Sequence, residues 1–219
     1  MGKEIDLLRD YPKSKRNLDE RADAKTEKDR EIARQFGKDF FDGNRRHGYG
    51  GFNYSPRFWE PVISSFQNYW KLDSNSSVLD VGCAKGFMLF DFIRLIPGIS
   101  IKGIDISEYA IENSKDDVRD HLQVADAQCL PFKDSSFDVV ISVNTVHNLD
   151  KVGCANALRE IERVSRGKSF ITVDAYRSDV EKDRMYKWNL TAKTIMHVDE
   201  WKSFFDTVGY SGDYFWFIP

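Results

Sequence analysis

The sequence predicts an α/β fold: a mostly parallel central sheet with helices on both faces, behind an N-terminal helical and aromatic cap. Three observations carry this. After Leu72, short apolar runs alternate with helical patterns, as a helix-covered parallel sheet requires. Three of the predicted strands are closed or followed by an acid, Asp80, Asp105 and Asp126, and the first leads into a turn with two glycines, "VLDVGCAKGF". Before Leu72 that alternation is missing, and aromatics, glycines and arginines crowd together. The division expected is an extension and cap over 1–72 and a ligand-binding domain over 73–219, with a lid near 176–198.

The elements follow in order. "LDERADAKTEKDREIARQF" combines helix formers with sparse apolar contacts at Leu18, Ala22, Ile32 and Phe36, which reads as a solvated or docking helix. "RRHGYGGFNYSPRFW" is broken by Gly48, Gly50 and Gly51. Pro61 can open a helix that carries Val62, Ile63, Phe66 and Trp70 at helical spacing. Then come strand "SVLDVG", helix "FMLFDFIRLI", strand "IKGIDIS", helix "EYAIENSKDDV" capped by Ser107, and a short strand "HLQVADA" begun by His121. Strand "FDVVISVN", helix "ANALREIERVSRG" with Gly167 at its C-terminal cap, and strand "KSFITVDAY" follow. Helix "VDEWKSFFDTVGY", capped at Asp199 or a neighbour, and strand "DYFWFI" finish the chain.

Bulk properties exclude several classes. With 219 residues the chain can build one sizeable core, or one core and a small cap. A formal charge of -3 gives no general attraction to nucleic acid or an anionic membrane. No apolar run approaches the roughly 18 residues of a membrane span. The start lacks the apolar core of a signal peptide, and Asp6 stands where a myristoylation signal has Ser or Thr. Cys83, Cys129 and Cys154 are odd in number and widely spaced, so neither a disulfide framework nor a zinc site is expected. A cytoplasmic protein is the expectation.

The strand-end acids point to chemistry. The turn spacing is Gly82, Ala84, Gly86, which misses the dinucleotide fingerprint. Glycine there permits close backbone approach to a ligand. Asp105 can accept from both hydroxyls of a ribose. Asp126 can accept from the exocyclic amine of a base, and Ile106 and Ala127 can sandwich its ring. Asp80 suits an ammonium group. Such a set repels phosphates and fits a ligand with an amino end, a ribose and an adenine.

"VLDVGCAKG", "GIDIS", "ADAQCLPFKDSSFDVVIS" and the following "HNL" together resemble the class I S-adenosylmethionine (SAM)-dependent methyltransferases, in the small-molecule (type 11-like) branch, over about Ser77 to Tyr210. The resemblance implies a Rossmann-like fold, SAM as cofactor with S-adenosylhomocysteine as product, and cofactor contacts from Asp80, Gly82, Ala84, Gly86, Asp105, Ile106, Asp126, Ala127 and Asn144. Ala84 replaces the usual middle glycine, which the turn tolerates if φ is negative. The chain has one C-terminal strand where an antiparallel pair is usual, so the sheet edge is open to question.

The methyl is expected near "ISVNTVHNL". Asn144 and His147 are the catalytic candidates, His147 as a base or as a packing residue. Arg45, Tyr49, Tyr54 and Arg57 from the cap, and Tyr176 and Arg177 after the fifth strand, are candidate substrate contacts, with a solvated, structural role as the other reading. The expected reaction is methyl transfer to an O or N atom of a small polar, anionic metabolite, a sugar, amino acid or related compound. Alternatives are a SAM-binding regulatory protein without catalysis, or an RNA or protein methyltransferase. No metal, nucleic acid or membrane partner is expected.

Overall fold

The computed structural model describes residues 2–12 and 25–218. Leu18 and Ala22 lie outside them. The rest of the predicted first helix forms α1 (Glu27–Ala33), started by a capping box between Thr26 and Asp29. Helix α2 (Lys38–Phe41) follows, then α3 (Pro56–Trp70). The latter opens at Pro56 rather than Pro61, because Pro56 fills a first-turn position where no N–H is needed. Val62, Ile63, Phe66 and Trp70 form its buried stripe, as their spacing predicts.

The alternating part runs β1 (Ser77–Val81), α4 (Phe87–Leu95), β2 (Ser100–Asp105), α5 (Glu108–Glu112), β3 (Leu122–Val124), β4 (Val139–Val143), α6 (Lys151–Val164), β5 (Ser169–Tyr176), α7 (Asp179–Trp188), β6 (Met196–His197), α8 (Val198–Val208) and β7 (Asp213–Phe217). Ser107 caps α5 through its Oγ, which accepts from Ala110 N. That helix is shorter than expected, since the Asn113 side chain donates to Tyr109 O and competes for the backbone. A 3-10 turn (Asp116–His121) then leads to β3, so His121 ends a turn and does not begin the strand. Ser165, not Gly167, is the C-cap of α6, and Gly167 serves the turn beyond it at φ 99°. The cap of α8 is His197, whose Nδ1 accepts from Asp199 N at 3.2 Å while Glu200 returns a bond to His197 N.

The sheet has seven strands in the order β3-β2-β1-β4-β5-β6, with β7 also paired to β5. Every strand pairing is parallel, including β7 on β5 from Phe170↔Asp213 to Asp174↔Phe217. The edge question has a direct answer. Glu4 forms a parallel bridge to Tyr214, Ile5 N donates to Tyr214 O at 2.9 Å, and Tyr214 N donates to Lys3 O at 3.0 Å. The N-terminal segment thus covers backbone groups that a free edge would expose.

Alternate strand residues split the core between the two faces. Leu79, Val140, Ile171 and Val173 pack with Leu158, Trp201 and Phe205 of α6 and α8. Val78, Ile101, Ile141 and Phe170 pack with Phe66 of α3 and Phe92 of α4. Each large apolar side chain so buried contributes about 1.5–3 kcal/mol. These layers hold the carboxyl ends of the strands along one rim, where the chemistry-bearing residues gather.

Candidate functional site

The turn after β1 is built for itself, not left open. Gly82 sits at φ 88°, and a Cβ there would come within 2.1 Å of Thr145 Oγ1. Glycine is needed there for Thr145. Gly86, at φ 74°, likewise abuts Leu122 and Val118 side chains. Ala84 lies at φ 49°, so the turn holds a non-glycine residue in the left-handed region, contrary to the negative φ expected. The amides are committed: Gly82 N and Cys83 N donate to Ile104 O at 2.8 and 2.9 Å, Gly86 N to Cys83 O at 2.9 Å, and Ala84 N to Asp105 Oδ2 at 2.8 Å. None of these four N–H groups remains for a phosphate, unlike a phosphate-binding loop.

Two acids meet beside this turn. Asp80 pairs in register with Gly103, so Asp80 and Asp105 share a sheet face. Asp105 also accepts from Ser107 N at 2.9 Å; burial raises its pKa and its backbone hydrogen bonds oppose the rise. Asp80 is 4% exposed and its carboxylate accepts no hydrogen bond from the described residues. Burial pushes its pKa well up, and the neighbouring Asp105 charge adds to that. Ile106, 56% exposed, and Val124, 46% exposed, offer apolar surface at adjacent strand ends. Val124 was not among the sequence candidates, although its place in "HLQVADA" marks it. Asp126 is exposed and turned onto Gln128, whose N and Nε2 donate to it, while Ala127 is buried beside it.

The base role expected of His147 does not fit its surroundings. His147 is 3% exposed, and its Nδ1 accepts from Asp174 N at 2.8 Å. Burial lowers its pKa, so the ring is neutral and its proton sits on Nε2. No lone pair is left to act as a base. Asn144 takes φ 52° at the end of β4, and its Oδ1 accepts from the Thr172 hydroxyl at 2.8 Å. Its side-chain oxygen thereby shapes the strand end.

The six candidate substrate contacts have different immediate neighbours. Tyr49, 46% exposed, packs its ring against Phe40, Phe41 and Phe52. The Tyr54 hydroxyl donates to Asp91 at 2.7 Å and its ring packs on Phe87 and Phe90. Arg57 is exposed over the Phe58 ring, and the exposed Arg45 lies against Gly50. Tyr176 packs edge-on to His197. Arg177 pairs with Glu4 at 3.1 Å, at the sheet edge. Arg57 and Arg177 are thus each engaged by a different local partner.

Other residues close the site. The Lys85 Nζ, within the turn, donates to Asp42 Oδ2 at 2.6 Å and to Phe52 O at 3.1 Å. Asp42 also accepts from Tyr109 Oη at 2.7 Å. Ser107 Oγ donates to Phe36 O, tying the cap to the end of β2. Helix α1 meets the insertion: Arg30 donates to Asn189 O at 3.2 Å, and Lys25 donates to Trp188 O and lies 4.8 Å from the centre of its ring. Cap and insertion therefore form one roof. Among the described residues no group of His, Cys, Asp and Glu could hold a metal ion, and no helix is long and apolar enough to cross a membrane.

Residues 72–209 match the sequence profile of a family described as "Methyltransferase domain". The chain is 33% identical over 141 residues to the sterol 4-C-methyltransferase of Caenorhabditis elegans, covering 59% of this chain and 39% of that protein. It is 31% identical over 151 residues to the tRNA (carboxymethyluridine(34)-5-O)-methyltransferase of Arabidopsis thaliana, covering 67% of this chain and 35% of that protein. The chain thus spans well under half the length of these relatives. The crystal structure of the YcgJ protein from Bacillus subtilis superposes with a TM-score of 0.53 at 18% identity, over 67% of this chain and 66% of that one, which is a likeness of fold.

Proposed function

This chain belongs to the methyltransferase-domain family of class I, and on that footing we propose that it transfers a methyl group from SAM to a hydroxyl or amine of a small, largely uncharged acceptor. The observation that carries the cofactor half is the buried, unpartnered carboxylate of Asp80 beside Asp105. A carboxylate so little hydrated and without a hydrogen-bond partner is costly, and a cationic ligand relieves it. At an effective dielectric of 20, one unit charge at 4 Å from another is worth about 4 kcal/mol, attractive for an ammonium and repulsive for a phosphate. The committed amides of the turn point the same way, since they offer a phosphate nothing.

In this reading Asp80 faces the amino end, Asp105 takes the ribose hydroxyls, and Ile106 with Val124 lies against the adenine, with Asp126 at its edge. SAM supplies an electrophilic methyl carbon on a sulfonium. The protein's share is to position the acceptor and exclude water, which the joined roof of cap and insertion supports. The engagement of Arg57 by Phe58 and of Arg177 by Glu4 favours an uncharged acceptor over the anionic one expected, and the roof favours a small molecule over a polymer. The relatives named above act on a sterol and a tRNA, so either carbon or oxygen acceptors are within the family's reach.

Titration calorimetry with SAM, S-adenosylhomocysteine, ATP and NAD tests the cofactor half. Binding of the first two and not the phosphate-bearing pair is expected; tight binding of ATP or NAD would overturn it. Transfer of label from SAM to a small-molecule extract tests the reaction, and label found only in tRNA would transfer the assignment to a nucleic acid.

A further inference from the structure

We propose that Asp174 takes the acceptor's proton, a role for which His147 is unsuited; this rests on the methyl-transfer reading above. Asp80 pairs with Ile141, Ile141 with Phe170, and Phe170, Thr172 and Asp174 alternate along β5, so Asp174 lies on the same sheet face as Asp80 and Asp105. The β4–β5 register ends at Val143↔Thr172, so Asp174 projects beyond β4, alongside the loop that holds Asn144 and His147. That is the rim where cap and insertion meet.

The backbone of Asp174 is held on both sides, its N donating to His147 Nδ1 at 2.8 Å and its O accepting from Trp201 Nε1 at 3.0 Å. Its side chain is 5% exposed, yet its carboxylate accepts no hydrogen bond from any described residue. The fold fixes the backbone firmly yet leaves this nearly buried carboxylate without a hydrogen-bond partner among the described residues and still in reach of solvent, as a proton acceptor needs to be. The charged and titratable groups around it are His147, with Nδ1 3.8 Å from Oδ1, and Lys25 from the cap. Burial raises its pKa, which these two temper, so the group is a stronger base than an exposed carboxylate.

The step balances. An acceptor O–H proton passes to the Asp174 carboxylate as the oxygen lone pair bonds to the methyl carbon, and the carbon–sulfur pair returns to sulfur. Carboxylate and sulfonium become carboxylic acid and thioether, and the proton leaves to solvent with the product.

Asp174→Asn keeps the shape and removes the base. The test compares it with wild type by calorimetry for SAM, by turnover from pH 5 to 9 with labelled SAM and a panel of phenols, alcohols and amines, and by infrared titration of buried carboxylic-acid bands. Expected are SAM affinity within about twofold, turnover lower by about 100-fold or more, loss of the acid limb of the pH profile, and loss of one buried-acid band. Asp174→Glu should recover part of the rate. Asp174→Asn turning over at the wild-type rate with an unchanged acid limb overturns the role of Asp174 alone. Wild type that binds no SAM overturns the methyl-transfer reading beneath it.

Discussion

The Lys85 ammonium and the Asp42 carboxylate, 43 positions apart, stand 2.6 Å from each other, and through them the turn after β1 is fastened to the cap. Asp42 receives Lys85, the Tyr109 hydroxyl and Phe52 N, so three parts of the site converge on one side chain.

Asp42→Asn should therefore loosen the cap and the turn together. Lys85, 6% exposed, would keep only the Phe52 carbonyl and neutral partners. Breaking a buried pair costs about 3–5 kcal/mol, and the partial exposure of Asp42 puts the loss near about 2–3 kcal/mol. The hydrogen bonds to Asp42 hold its pKa below the usual carboxylate value against the opposing effect of burial. Its contribution is thus full above the unfolded pKa and lost as pH falls through the lowered folded one. Urea unfolding of both proteins should show a gap at pH 7 that shrinks in acid; equal stabilities at pH 7 would remove Asp42 as the fastening.

Asp80 predicts opposite pH trends for folding and binding. Its folded pKa is raised by burial and by Asp105. A carboxyl raised on folding opposes the native state above its folded pKa, and that cost disappears as pH falls towards the unfolded value. Between the ordinary carboxylate range and the raised pKa, acid should therefore ease this part of the apo protein's instability. Affinity for SAM should fall over the same window, because a protonated Asp80 offers no charge to an ammonium. Calorimetry across that window should find the fall in wild type and its absence, with weaker binding throughout, in Asp80→Asn. A flat wild-type profile would dissociate Asp80 from the cationic end.

Asp105→Ala should harm the cofactor site twice over. It removes the acceptor for ribose hydroxyls and strands Ala84 N and Ser107 N, which now donate to it at 2.8 and 2.9 Å. An unsatisfied buried group costs about 1–3 kcal/mol, so both SAM affinity and thermal stability should drop. Asp105→Asn, which keeps one oxygen, should retain more stability than affinity. Unchanged SAM affinity in both variants would place the ribose elsewhere.

The strands, the acids at their ends and the buried stripe of α3 were legible because each depends on local spacing of two or three to four residues. The failures depend on partners distant in sequence. Nothing in "VHNL" shows that His147 Nδ1 is taken by Asp174 N, 27 positions on. Tyr54 and Arg177 read as substrate contacts from the sequence, which does not show that Asp91 holds the hydroxyl of the first and Glu4 the guanidinium of the second. Asp174 carried the same mark as Asp80, an acid at a strand end, but only the register shows that the two share a face.

Ala84→Gly should make the protein more stable. Ala84 sits at φ 49° between two glycines that are also at positive φ, and its N–H is pinned by Asp105. An L-residue with a Cβ pays about 1–2 kcal/mol there, a cost glycine does not bear. Glycine adds unfolded-state entropy worth about 0.4–1 kcal/mol, which offsets part of the gain. The difference leaves a stabilisation of about 0.5–1 kcal/mol, or roughly 1–4 °C in Tm for a chain of this size. Because the N–H to Asp105 is preserved, SAM affinity should change little. Thermal unfolding and calorimetry on the same preparation check both halves. A lower Tm for the glycine variant would mean that the turn relieves the strain at Ala84 by a route other than backbone conformation.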